Sequence, residues 1–112
     1  MTSLRPPHAM PLVLVESPYQ GDVERNVEYA RRCLRDCIDR QEAPLAAHLL
    51  FPQVLDDRDP IQRAAGINAG FAWLRKADRM VVYQDLGISP GMEAAIRTAE
   101  LLRIPIERRS LK

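Results

Sequence analysis

A chain of 112 residues, 46% hydrophobic and 28% charged, fits one globular domain whose modest core makes self-association expected. Its formal net charge of +1 carries no basic footprint, so neither a nucleic acid polymer nor an acidic membrane is an expected partner. No signal peptide or membrane span is read, and Cys33 and Cys37 have no neighbouring His or Cys to complete a metal site. A reducing, cytoplasmic setting without metal or other cofactor is expected.

Residues 1 to 10, with Pro6 and Pro7, read as a flexible leader, and a single α/β domain is expected over 11–112. Leu12 to Val15 is an uninterrupted apolar run, as a central parallel strand requires. The loop Glu16-Ser17-Pro18-Tyr19-Gln20-Gly21 follows. Asp22 can cap a long helix whose apolar residues Val23, Val27, Ala30, Leu34, Cys37 and Ile38 recur at helical spacing. Cys33 and Cys37 share one helix face and read as small buried groups. Ala43 to Ala47 is a short second strand. His48 to Asp59 reads as a loop with Pro52 and the acidic run Asp56-Asp57-Arg58-Asp59. A connection of that length often carries function. Asp59, Pro60 and Gln62 show the pattern of a capping box opening a second helix. That helix runs to about Ala77, with Trp73 expected in the core. Arg79 to Tyr83 is a third strand. Ser89 suits an N-cap and Pro90 the first position of a third helix, which runs to Arg103. Pro105 to Arg108 is a last strand, and the basic residues Arg103, Arg108, Arg109 and Lys112 read as solvated tail residues.

Strictly alternating strands and helices predict an α/β fold: a flavodoxin- or Rossmann-like three-layer sandwich around a four-stranded parallel sheet. A strand order of 2-1-3-4 sets the loops after strands one and three side by side at the topological switch point. Two helix N-termini then point into one crevice, which suits a ligand with an anionic or polyhydroxyl part. Ser17 and Ser89 are placed to donate to a phosphate or hydroxyl, or else only to cap. Tyr19, after Pro18, stands to stack on a sugar or to cover the sheet edge. His48 reads as a general acid or a loop histidine, and Asp85 as a proton donor or a strand end. Gly91 leaves the backbone open beside Met92. Glu93 stands in the first helical turn, where the positive helix end favours its ionised form. It is a candidate nucleophile or hydroxyl clamp, with dipole compensation as the plainer role.

Together these loops resemble the nucleoside 2-deoxyribosyltransferase-like superfamily, which includes nucleoside 5'-monophosphate N-glycosidases. The resemblance is carried by Val13-Leu14-Val15-Glu16-Ser17-Pro18-Tyr19, by Trp73-Leu74-Arg75-Lys76-Ala77-Asp78-Arg79-Met80-Val81-Val82 and by Gly91-Met92-Glu93, and it extends from Leu12 to Ile106. It implies that Glu93 attacks C1' of a deoxyribosyl group, the base leaves, and water or another base takes the sugar. The implied substrate is a (deoxy)nucleoside or nucleoside 5'-monophosphate, with Ser17, Pro18, Tyr19, His48, Ser89, Gly91 and Met92 around it. The resemblance also implies a homodimer or larger homo-oligomer. An oxocarbenium-like anomeric carbon needs a carboxylate beside it, as glycosidases show. The family commonly carries an Asp shortly before the Trp-Leu pair, and this chain has Gly70 there. Asp85, or else His48, is then the expected proton donor to the base. The alternative reading is a nucleotide-binding module without turnover, a sensor or a ligand-sequestering protein.

Overall fold

Two apolar runs that cannot face water build the centre of the molecule, which a computed structural model describes over residues 9–112. Residues 1–8 of the expected leader lie outside the described residues. The strands β1 (Leu12–Glu16), β2 (Ala43–Leu45), β3 (Arg79–Tyr83) and β4 (Ile106–Arg109) form one parallel sheet in the order β2-β1-β3-β4. This is the expected flavodoxin-like order. The central strands β1 and β3 are apolar on both faces because helices cover both faces. Alternation sends Val13, Val15, Val81 and Tyr83 to one side, against Tyr29, Cys33 and Cys37 of α1 (Val23–Asp39). Leu14, Met80 and Val82 go to the other side. There they meet Leu74 of α3 (Pro60–Leu74) and Met92, Ala95, Ile96 and Ala99 of α4 (Pro90–Leu101). Both cysteines are free and buried.

Several local expectations are corrected. β2 stops at Leu45, and the first part of the expected loop is structured: a short helix α2 (Ala47–Leu50) runs into a 3-10 turn at Phe51–Gln53. Asp59 does cap α3, accepting from the Ile61 N–H at 3.0 Å, but the box is not closed. The Gln62 side chain instead accepts from the Asp56 N–H at 2.8 Å and donates to the Asp59 carboxylate at 3.1 Å. A reciprocal cap occurs at α4, where Ser89 Oγ accepts from the Met92 N–H at 3.2 Å. Met92 Sδ accepts from the Ser89 N–H at 3.4 Å. α3 ends at Leu74, and Trp73 is 53% exposed rather than in the core. The helix buries Gly70 and Leu74, and Trp73 lies off that face.

Arg109 is also not a solvated tail residue. It is buried, and its guanidinium donates to Glu42 at 2.7 Å, to Glu107 at 2.7 Å and to the Tyr83 hydroxyl at 3.2 Å. Arg79 donates to the same Glu42 at 2.6 Å. These bonds hold the Glu42 carboxyl down at about 2, against the opposing effect of its own burial.

Candidate functional site

The ends of β1 and β3 open onto a cavity of about 510 Å³, walled by the loop after β1, by α2 and the turn after it, by α3 and by the start of α4. Glycines let these walls close. A Cβ at Gly70 would stand 3.1 Å from the Ala47 Cβ, and one at Gly66 would stand 3.3 Å from Leu55 Cδ1. A side chain at position 70 would require α2 and α3 to part by a few tenths of an ångström. Gly70 thus lets α2 and α3 approach closely at this wall.

The loop after β1 is fixed from below. Buried Asn26 donates from Nδ2 to the Tyr19 carbonyl at 3.0 Å and to the Gln20 carbonyl at 3.1 Å. Gln20 in turn donates to the Asp57 carboxylate at 3.0 Å, tying the loop to the acidic run before α3. Ser17 is buried with its Oγ 2.7 Å from His48 Nε2. Burial pushes the His48 imidazole down to about 4, so it is neutral at pH 7 and holds no proton ready for a leaving base.

The structure brings Ser17, Tyr19, His48, Ser89, Gly91 and Met92 together around the cavity. Ser89 faces it while serving as the α4 cap. Gly91 leaves its backbone approachable: a Cβ there would meet nothing nearer than Ser89 Oγ at 3.9 Å. Pro18 is buried but is not part of the lining. Glu93 is exposed and also outside the lining, although Met92 and Ala94 on either side belong to it. Asp85 stands away from the cavity as well. Its carboxylate accepts from the Ser110 hydroxyl, the Tyr29 hydroxyl at 2.6 Å and the Leu111 N–H at 2.9 Å. Those three donors hold it down at about 2. It is ionised and engaged, so the expectation that it protonates a base does not fit its surroundings.

Sequence reasoning passed over Glu16, which lines the cavity. Burial, with no opposing cation, pushes its carboxyl up to about 8. The signal lay in strand alternation. As the last residue of β1, Glu16 shares the face of Leu14, the face on which the cavity opens. Phe51 and Phe71 add aromatic walls, and Arg63 is the cationic side chain among the lining residues.

A parallel sheet of this order, with a cavity at its switch point, defines a flavodoxin-like α/β fold. Residues 11–109 match the family described as Domain of unknown function (DUF7768), and the chain belongs to that family. No curated protein matches the sequence. Among solved structures the chain is similar to the 2-deoxyribosyltransferase of the psychrotolerant bacterium Bacillus psychrosaccharolyticus, a biocatalyst for nucleoside synthesis. The two share 15% identity and superpose with a TM-score of 0.65, over 88% of this chain and 72% of the other. At that identity the likeness is one of fold. Among the described residues, no helix is long and apolar enough to cross a membrane.

Proposed function

We propose that the cavity binds a (deoxy)nucleoside or nucleoside 5'-monophosphate and that the protein cleaves or transfers its N-glycosidic bond. The observation that carries this reading is the cavity itself, at the ends of β1 and β3, with aromatic walls and a carboxyl group kept neutral by burial. Tyr19, Phe51 and Phe71 offer ring faces to a base, while Ser17, Gln62 and Ser89 offer hydrogen bonds to sugar or phosphate. Arg63 and the N-terminal end of α4 supply positive potential for a 5'-phosphate. The fold shared with a deoxyribosyltransferase supports the same reading. The sugar's anomeric carbon would pass through an oxocarbenium-like state, captured by the Glu93 carboxylate or by water.

A second reading, ligand binding without turnover, is favoured by the placement of Glu93 outside the cavity lining. One experiment separates the two. The protein is incubated with a panel of deoxynucleosides and their 5'-monophosphates, free base is followed by chromatography, and binding is measured in parallel by titration calorimetry. Base release supports the first reading and binding without release the second. Neither binding nor release refutes both.

A further inference from the structure

We propose that Glu16 is the proton donor to a departing purine, an assignment that rests on the proposed N-glycosidic chemistry. Its position follows from the strand. Val13 and Val15 of β1 point to the α1 side, and Leu14 and Glu16 point to the side of α3, α4 and the cavity. Glu16 aligns with Val82 on the neighbouring β3, so its strand neighbour offers no charge. Among the described residues its carboxyl has no hydrogen-bond or ion-pair partner.

The other acids and bases near the site are committed elsewhere. Asp57 accepts from Gln20, Asp85 accepts from Ser110, Tyr29 and Leu111, and His48 is bonded to Ser17. Glu93 stays outside the lining. Glu16 is thus the free acid that a ligand in the cavity meets.

A purine leaving C1' takes the electron pair of the C–N bond and departs as an anion unless a proton arrives. In the proposed step the Glu16 O–H gives its proton to a purine ring nitrogen. The C1'–N bond breaks with its pair going to the base, and the neutral base leaves. Glu16 is left as a carboxylate. In hydrolysis a water then adds to C1' and loses a proton, which returns to Glu16 and restores the neutral acid. A cavity of about 510 Å³ with three aromatic walls has room for a bicyclic base.

The titratable groups that share the cavity lining with Glu16 are Tyr19 from its own loop, His48 from α2, Asp57 from the segment before α3 and Arg63 from α3. Burial holds the Glu16 proton up to about 8, so the acid is loaded at neutral pH and base release should fall on the alkaline side of that value.

The test uses deoxyguanosine 5'-monophosphate and its 7-methyl derivative. The methylated base is already cationic and leaves without a donated proton. Glu16→Gln, which keeps the shape of the neutral acid, is expected to lower base release from the unmodified nucleotide by about 100-fold or more. Release from the methylated nucleotide, corrected for its spontaneous loss of base, is expected to stay within a few-fold of wild type. Equal losses on both substrates, or no loss on either, would overturn the assignment while leaving the N-glycosidic reading standing. So would wild-type release of the methylated base alone. Release of neither base by the wild-type protein would overturn both. A thermal melt of Glu16→Gln at or above the wild-type temperature confirms that the variant is folded.

Discussion

Glu16→Gln is expected to make the protein more stable in alkaline solution and to leave it nearly unchanged in mild acid. The folded carboxyl sits at about 8 and its ordinary value is 4.5. Between those two values the folded chain keeps a proton that the unfolded chain releases. Wild-type stability is therefore full below 4.5 and is lost as pH rises through about 8. Glutamine, which never ionises, escapes that loss. At roughly 1.4 kcal/mol per pKa unit the displacement sets an upper bound of roughly 5 kcal/mol. Water entering the open cavity screens the carboxylate, so a gain of about 1–3 kcal/mol above pH 8 is the working figure. His48 titrates in an overlapping range with the opposite sense. Its value is lowered from 6.5 to about 4, so its contribution is lost as pH falls across that window. It is present in both proteins and cancels in the difference. Urea unfolding of both proteins at about pH 5 and about pH 9 gives that difference directly. A difference that does not change with pH, or a variant less stable than wild type at the alkaline end, would refute the argument.

Arg109→Ala leaves Glu42 and Glu107 without their buried cation. It is expected to cost about 3–5 kcal/mol, read as a large drop in urea midpoint; a loss under about 1 kcal/mol would show the network to be dispensable. Ser89→Ala removes the side-chain cap of α4 and should cost about 1 kcal/mol. It should also weaken a nucleoside 5'-monophosphate more than its nucleoside by calorimetry. The monophosphate is expected to bind at least as tightly as the nucleoside, with an advantage that shrinks as salt rises, and equal affinities would remove the phosphate from this end of the cavity. Glu93→Ala, at an exposed first-turn position, should cost at most about 1 kcal/mol. If Glu93 is the nucleophile it should stop base release, and wild-type release from the folded variant would exclude that role. A homodimer or larger assembly is expected, because Ile61, Ile67 and Trp73 on α3 are 81%, 44% and 53% exposed. A monomeric mass by light scattering at tens of micromolar would contradict it.

What could be read ahead of the structure was the chemistry that acts locally. The apolar runs of β1 and β3 require cover on both faces, and that alone fixes a parallel sheet between helices. Asp22, Asp59 and Ser89 cap their helices through backbone groups two or three residues away, so they show in the sequence. The buried face of α1 showed in part, since Ala30, Cys33 and Cys37 are buried as their spacing implies. Hydropathy favoured Val23 and Ile38, which are 41% and 49% exposed. Asn26 and Tyr29 are buried instead, and Tyr29 finds its partner Asp85 across 56 positions of chain. No local pattern carries such a bond. The crevice at the ends of β1 and β3 could be read from the strand order, but the wall that α2 and α3 add to it could not. It exists once α2 closes on Gly70, and until then Glu16 looks like the first residue of a loop rather than a wall of a site.

The two rims of the sheet have a consequence for behaviour in concentrated solution. On one side β2 has only three residues and carries Pro44, which has no N–H to offer an incoming strand. On the other, β4 ends in Glu107, Arg108 and Arg109, a charged segment that resists pairing with its own copy. Neither rim is a template for strand-by-strand growth. Copies of this chain that meet should therefore do so through side chains on the outer helices, giving assemblies of closed, limited size rather than fibrils, and remain dispersible where an open sheet edge of the same length would not.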